Sequence, residues 1–206
     1  MTCQTPERLL RQAPWIRSLA VLVGLTAGCQ GFLEFEGQTH AVTIPALSET
    51  NCPVGWTGDT LPAALVDDLD WSLTQVFVAI GDQADSEVAR RNAGTADAVR
   101  IVSLSLQMTD TSDATDMQSS FGFLAGIEIF VESSKAGSDL PRVLIAHNAT
   151  IPNGATTLPL QVCQDVDLHP YLAEGLRITT ELVPRSCLRG EVTYRAAYIG
   201  LVRPTQ

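Results

Sequence analysis

The sequence contains few positive charges and almost no lysine. Its 206 residues include 13 Lys and Arg against 23 Asp and Glu, and Lys135 is the single lysine. A net charge of −10 argues against a nucleic-acid partner, because phosphate binding depends on clustered Lys and Arg. Charged residues make up 17% of the chain and hydrophobic residues 45%, which excludes a disordered or coiled-coil protein. The length suits one globular domain.

The sequence also lacks an apolar run long enough to cross a bilayer. The longest candidate, LAVLVGLTA, spans only residues 19–27, whereas a membrane-spanning helix needs about 20 apolar residues. Arg8, Arg11 and Arg17 precede this run, and small residues end it. A basic region, a short apolar region and small residues at the end are typical of a secretory signal peptide. Residues 1–28 are therefore predicted to be such a signal.

The end of this signal resembles the lipobox of bacterial lipoprotein precursors. The motif is Leu25-Thr26-Ala27-Gly28-Cys29, with Thr26 where the family most often has Leu. The resemblance implies cleavage before Cys29 and fatty acylation, including palmitate, of that cysteine. Several acyl chains hold a protein stably on a membrane surface. Gln30 follows the cysteine, which by resemblance to known sorting signals favours the outer membrane of the cell envelope.

The exported part is more acidic than the precursor. Cleavage removes Arg8, Arg11, Arg17 and Glu7, which leaves 10 basic and 22 acidic residues and a net charge of −12. Such a domain is repelled by an anionic membrane at short range. The lipid on Cys29, and not the surface charge, is therefore expected to hold the protein on the membrane.

The rest of the chain predicts an all-β fold. Residues 29–38 are expected to form a lipidated tether, and residues 39–206 a domain. Apolar and polar residues alternate with period two in short segments, which is typical of strands with one buried face. Turn residues separate them, so we predict an antiparallel β-sandwich or jelly roll of about eight strands with one or two short helices. The eight segments are 40–44, 69–73, 102–108, 127–131, 143–146, 158–162, 176–182 and 192–203.

The prediction also places two individual residues and two helices. In the second segment, Trp71 is expected on the buried face with Leu69 and Leu73. Pro159 cannot donate to a ladder, so its strand is expected at a sheet edge or with its outward N–H side unpaired. The two helices are predicted over 82–92 and 167–174, the second with Asp167 as N-cap and Gly175 just past its end.

Two segments of the domain, FGFLAGIEIFV at 121–131 and DLHPYLAEGLRITTELV at 167–183, resemble uncharacterised small β-sandwich lipoproteins of bacterial envelopes. The resemblance implies a fold and no activity.

Three cysteines remain after cleavage and acylation, namely Cys52, Cys163 and Cys187. Export permits disulfides, and an odd number allows at most one internal bridge. Alternating strand directions would place Cys52 and Cys187 at one end of the sandwich and Cys163 at the other. We therefore predict a Cys52–Cys187 bridge, with Cys163–Cys187 as the alternative.

Two acidic clusters are candidate cation sites. Asp110, Asp113 and Asp116 follow a strand in TDTSDATD, and three carboxylates with Ser and Thr oxygens suit calcium. The alternative is a solvated turn whose side chains bond their own backbone. Asp165, Asp167 and His169 share one face if that segment is extended, which would suit a metal ion. A helix that begins at Asp167 explains the same residues.

The sequence shows no recognisable catalytic constellation. Its three histidines, His40, His147 and His169, lie in no HExxH or zinc spacing, and no serine occupies a GxSxG turn. Trp56, in GWTG, and Tyr171 are candidates for stacking on a sugar, although packing is the commoner role for such residues. We therefore expect that the protein is not an enzyme. We also expect that it needs no cofactor other than, in one alternative, calcium.

We accordingly predict an envelope lipoprotein that acts as a non-catalytic interaction or structural module, with an envelope protein or glycan as partner. One alternative is a calcium-dependent or carbohydrate-binding module that uses the first acidic cluster or Trp56. Another is a metal-dependent hydrolase that uses the second cluster.

Overall fold

A computed structural model of the chain describes residues 31–46, 63–109, 120–188 and 190–205. The strands are β1 (Leu33–Gln38), β2 (Val42–Ile44), β3 (Ala96–Met108), β4 (Leu124–Ser133), β5 (Val143–Asn148), β6 (Thr157–Val162), β7 (Leu176–Pro184) and β8 (Val192–Pro204). The helices are α1 (Ala63–Arg90) and α2 (His169–Glu174), and a short 3-10 helix, Phe121–Phe123, leads into β4.

The strands form one sheet in the order β1-β8-β3-β6-β5-β4-β7, and β2 continues the β1 edge by pairing with β8. Every ladder between these strands is antiparallel. Eight strands and two helices confirm the predicted antiparallel, predominantly β fold, and the arrangement is consistent with an all-β sandwich. The core is built from the alternating residues of the strands, as period-two patterning requires. In β8, for example, Val192, Tyr194 and Ala196 are fully buried.

Close packing between β1 and β8 depends on two aromatic–glycine pairs. Phe35 is the register partner of Gly200, and Tyr198 is that of Gly37. A side chain on either glycine would overlap with the aromatic ring opposite. Phe35 and Tyr198 also contact each other edge to face, with ring centroids 6.3 Å apart. The two glycines therefore give the rings room to lie flat across the neighbouring strand.

The strand predicted at 69–73 is wrong, because these residues belong to the 28-residue helix α1. Leu65, Leu69, Leu73 and Phe77 recur every four residues and are buried, which is a helical spacing. The alternation of Leu69 and Leu73 with polar neighbours fits period two over five residues only. Trp71 consequently lies on the opposite side of α1, where 67% of it is exposed, and is no core residue.

Other boundaries also differ from the prediction. The predicted tether over 29–38 is too long, since residues 33–38 pair with β8 as β1 and bury Phe35. The helix predicted over 82–92 is the last part of α1, which is not short. The predicted second helix is confirmed as α2, which ends before Gly175, a residue with a positive φ of 95°. It begins at His169, two residues later than predicted, and its N-cap is Leu168, so the prediction of Asp167 as N-cap is wrong.

The strand that contains Pro159 does not lie at an edge, because β6 pairs with both β3 and β5. The β5–β6 ladder, however, joins only Ala146 to Val162 and His147 to Gln161, and it stops before Pro159. The side chain of Asn148 instead donates to the carbonyl of Pro159 at 2.8 Å. The missing proline N–H therefore costs no ladder hydrogen bond with β5.

Candidate functional site

Several predicted site residues lie outside the described part of the chain, so their roles stay predictions. They are the acyl-bearing Cys29, the bridge candidate Cys52, the aromatic residue Trp56 and the calcium candidates Asp110, Asp113 and Asp116.

The carboxylate of Asp167 accepts hydrogen bonds from two backbone N–H groups. Its Oδ1 accepts the backbone N–H of His169 and that of Val99 in β3, both at 3.0 Å. The first bond satisfies a donor at the start of α2, and the second ties that helix to the sheet. Among the described residues, no three His, Cys, Asp or Glu side chains form a group that could hold a metal ion. The structure thus does not bring Asp165, Asp167 and His169 together as the predicted ligand set.

Tyr171 is a packing residue. Its side chain is only 5% exposed, and its hydroxyl donates to the carbonyl of Pro141 at 2.8 Å. Burial raises the pKa of the phenol above its ordinary value. Because the ring is covered, it offers no face on which a sugar could stack.

Cys163 and Cys187 lie toward opposite ends of the sheet. The N–H of Cys163 donates to the carbonyl of Ile145 in β5. Cys187 comes three residues after Pro184, which pairs with Leu124 at the start of β4. About six residues of β4 separate these two levels, which is roughly 20 Å of strand. Both cysteines are disulfide-bonded. The choice between the Cys52–Cys187 bridge and the Cys163–Cys187 alternative stays a prediction.

Cys187 lies toward the end of the sheet at which β2 finishes. Val192, five residues after Cys187, is the register partner of Ile44, the last residue of β2. The chain continues from there toward Cys52. The reasoning from alternating strands counted a strand at 69–73 that is helical, and Cys52 lies outside the described residues, so the Cys52–Cys187 bridge stays a prediction.

The outer face of the sheet carries an open groove of about 400 Å³ across β5, β4 and β7. Three ionisable residues lie side by side along it, since Glu128 is the register partner of both His147 in β5 and Glu181 in β7. Gln161 of β6 extends the row beyond His147. Such a row of carboxylate and imidazole groups suits a cationic or hydrogen-bond-donating ligand. Sequence reasoning missed it because only the strand register brings these residues together.

Arg142 occupies one side of this row. Its guanidinium donates to Oε1 of Glu181 at 2.9 Å and lies 3.6 Å from the ring centroid of Phe130. One of the two groove glutamates is therefore already paired, and Glu128 and His147 are the groups that a ligand would meet.

The second surface feature lies on α1. Trp71 and Val78, which is 39% exposed, are seven residues apart and therefore point in the same direction from the helix. Gln75 and Asp67, also exposed, complete this stripe. We call Asp67, Trp71, Gln75 and Val78 the α1 stripe. An apolar residue of this size is costly to leave in water, and exposed apolar patches with polar neighbours often mark contact sites.

The flank of α1 next to this stripe is hydrogen-bonded to the sheet. The hydroxyl of Thr74 accepts the backbone N–H of Ile178 at 3.2 Å, and the carboxylate of Asp70 accepts the hydroxyl of Thr180. Both partners belong to β7, the edge strand. The helix is thus fixed along β7, and the α1 stripe is presented on a rigid element.

No family model matches the chain, and no curated protein is significantly similar to it. Within the described ranges, no helix has the length and apolarity needed to cross a membrane.

Proposed function

We propose that this protein is a lipid-anchored protein of the bacterial cell envelope, attached through Cys29, and that its domain acts by non-catalytic contact with another envelope component. The anchor is supported by the motif at 25–29 and its resemblance to a lipobox. The start of β1 at Leu33, four residues after Cys29, supports a domain that sits directly beside its anchor.

The observation that carries the contact function is the exposure of Trp71. Tryptophan is enriched among the residues that dominate the binding energy of protein interfaces. Here it lies on a helix that is hydrogen-bonded to the sheet, so little conformational freedom is lost when a partner binds. The partner favoured by a stripe of Trp, Val, Gln and Asp is the surface of an envelope protein.

The contact is tested with the full-length, acylated protein in its own envelope. A photo-crosslinking amino acid at Gln75, within the α1 stripe, is compared with one at Val183, which is 57% exposed on β7. We expect a discrete protein adduct from position 75 that Trp71→Ala abolishes, while Val183→Ala leaves it unchanged. Equal adducts with and without Trp71 would contradict the proposal, as would turnover of ester, phosphate, peptide or glycoside substrates by the purified protein.

The anchor is tested separately by labelling cells with palmitate and fractionating their membranes. Wild-type protein is expected to incorporate the label and to sediment with the outer membrane. Cys29→Ser is expected to lose both properties. Label on the Cys29→Ser variant, or its unchanged membrane association, would refute the anchor.

A disulfide between Cys52 and Cys187 is part of the proposal. Its support is the position of Cys187 near the end of β2, from which the chain leads to Cys52. Such a bridge would fasten the segment between β2 and α1 to the domain and add about 2 to 4 kcal/mol to stability.

A further inference from the structure

Phe32 lies where the sheet begins, three residues after Cys29. Three residues of fully extended chain span at most about 10 Å. An acyl chain on Cys29 enters the bilayer, so the Cys29 backbone is then held at the headgroups. Phe32 consequently stays within reach of the headgroup layer whatever path the intervening residues take.

Two arginines flank the Phe32 ring. The guanidinium carbon of Arg100 in β3 is 5.1 Å from the ring centroid, and that of Arg203 in β8 is 5.8 Å away. Arg203 also forms an ion pair with Asp97 at 2.7 Å. The Nε atom of Arg100 is buried and has no hydrogen-bond partner among the described residues. Arg100 therefore carries a charge that no carboxylate of the described chain neutralises directly.

The C-terminus of α1 reaches the same end of the sheet. After Arg90 and Arg91 the chain turns back, and Thr95 pairs with Thr205 beside the end of β8. Glu87 holds both of these arginines by ion pairs of 2.8 and 2.5 Å. The acidic residues of this end include Glu87, Asp97 and the exposed Glu34 of β1. Asp167 belongs to it as well, because its carboxylate accepts the N–H of Val99 next to Arg100.

We call Phe32, Arg90, Arg91, Arg100 and Arg203 the anchor-proximal end. Its four arginines are balanced by the four acidic residues Glu34, Glu87, Asp97 and Asp167, whereas acidic side chains outnumber basic ones over the rest of the described residues. An acidic domain approaches an anionic surface with least repulsion by its least acidic end. Arginine also binds phosphate oxygens through two parallel N–H groups.

We infer that the anchor-proximal end lies against the phosphate layer of the membrane that carries the Cys29 lipid, with Phe32 at the interface and Arg100 on lipid phosphate. The inference rests on the proposed acylation of Cys29. It fixes an orientation, because α1 ends at the membrane and Trp71 lies 19 residues before its last residue. At 1.5 Å per residue, Trp71 lies about 28 Å from that end along the helix axis.

The test uses the full-length protein in membranes whose phospholipids carry radioactive phosphate. A photo-crosslinking amino acid replaces Phe32 in one variant and Val183, toward the other end of the sheet, in the control. Lipid adducts are expected at position 32 and not at position 183. Arg100→Gln should reduce the adducts at position 32 roughly fivefold, the loss of one arginine at an anionic surface. Arg195→Gln, on β8 away from this end, should not.

If replacement of Phe32 prevents folding, Gly31 takes its place, since a side chain there meets no atom within 4 Å. Palmitate labelling of every variant separates the two hypotheses. Labelled protein with equal lipid adducts at positions 32 and 183, or with adducts indifferent to Arg100→Gln, overturns the orientation and leaves the anchor intact. Unlabelled protein overturns the proposed anchor and this inference with it.

Discussion

The hydroxyl of Thr74 in α1 accepts the backbone N–H of Ile178 in β7 at 3.2 Å and donates to the carbonyl of Asp70 at 2.9 Å. Among the described strands, β7 pairs with β4 alone, so its other side has no strand partner there. The Thr74 hydroxyl thus accepts a backbone N–H that a neighbouring strand would otherwise accept. This is one way to protect a sheet edge from pairing with another chain.

Thr74→Val should destabilise the domain by about 1 to 3 kcal/mol, because a part-buried N–H loses its acceptor while the shape of the side chain is kept. Thr74→Ser retains the hydroxyl and should cost less. Urea unfolding of the three proteins measures the difference. Equal losses for Val and Ser would mean that the hydrogen bond contributes nothing.

Asp70 should make stability fall as the pH rises. Burial raises the pKa of its carboxyl, and the hydrogen bond from Thr180 opposes this only in part. Because the folded pKa lies above the unfolded value near 3.9, the contribution of Asp70 is full below that value and is lost as the pH rises through the folded pKa. Asp70→Asn keeps an acceptor for Thr180 and should be at least as stable as wild type at pH 7. The difference in unfolding free energy between Asp70→Asn and wild type is measured at pH 3 and at pH 7. A variant that loses stability relative to wild type as the pH rises from 3 to 7 would contradict this.

Glu87 should have the opposite effect. Hydrogen bonds from Arg90 and Arg91 lower its pKa from 4.5 to about 2. Its contribution is therefore full above pH 4.5 and is lost as the pH falls toward 2. Glu87→Gln should flatten the pH dependence of the urea midpoint in this range, whereas Glu36→Gln, at an exposed position of β1, should leave it unchanged. The same slope in wild type and Glu87→Gln would refute the assignment.

Gly200→Ala should cost about 1 to 3 kcal/mol, because the added methyl group overlaps with the Phe35 ring and forces it to move. Gly31→Ala meets no neighbour and serves as the control. Thermal or urea unfolding gives the comparison. In the double variant with Phe35→Leu, the loss caused by Gly200→Ala should shrink, and an undiminished loss would point to a cause other than this pair.

Peptide mapping without reductant should yield a linked pair that contains Cys52 and Cys187. The mature protein is digested, and the linked peptides are identified by mass before and after reduction. Cys52→Ala should release the peptide that holds Cys187. A link from Cys187 to any other cysteine would show the predicted pairing to be wrong.

The prediction of strands succeeded where the buried face was long and regular. Val102, Leu104 and Leu106 alternate with polar residues over a segment that is indeed within β3. It failed at Leu69, Trp71 and Leu73, since five residues fit both periods and the helical repeat appears only when Leu65 and Phe77 are included. The groove row of Glu128, His147 and Glu181 could not be predicted, because it depends on strand register between distant segments.

The sequence by itself determined the features that depend on neighbouring residues. These are the acidity, the one-faced strands and the short helix α2 held by Asp167. The signal with its Cys29 motif stays a prediction. Only the tertiary structure decided which distant residues meet. It placed α1 along β7, turned Trp71 outward, and brought Phe32, Arg100 and Arg203 together. Local patterning fixes which face of an element is apolar, but the partner of that face is chosen by the packing of the whole chain.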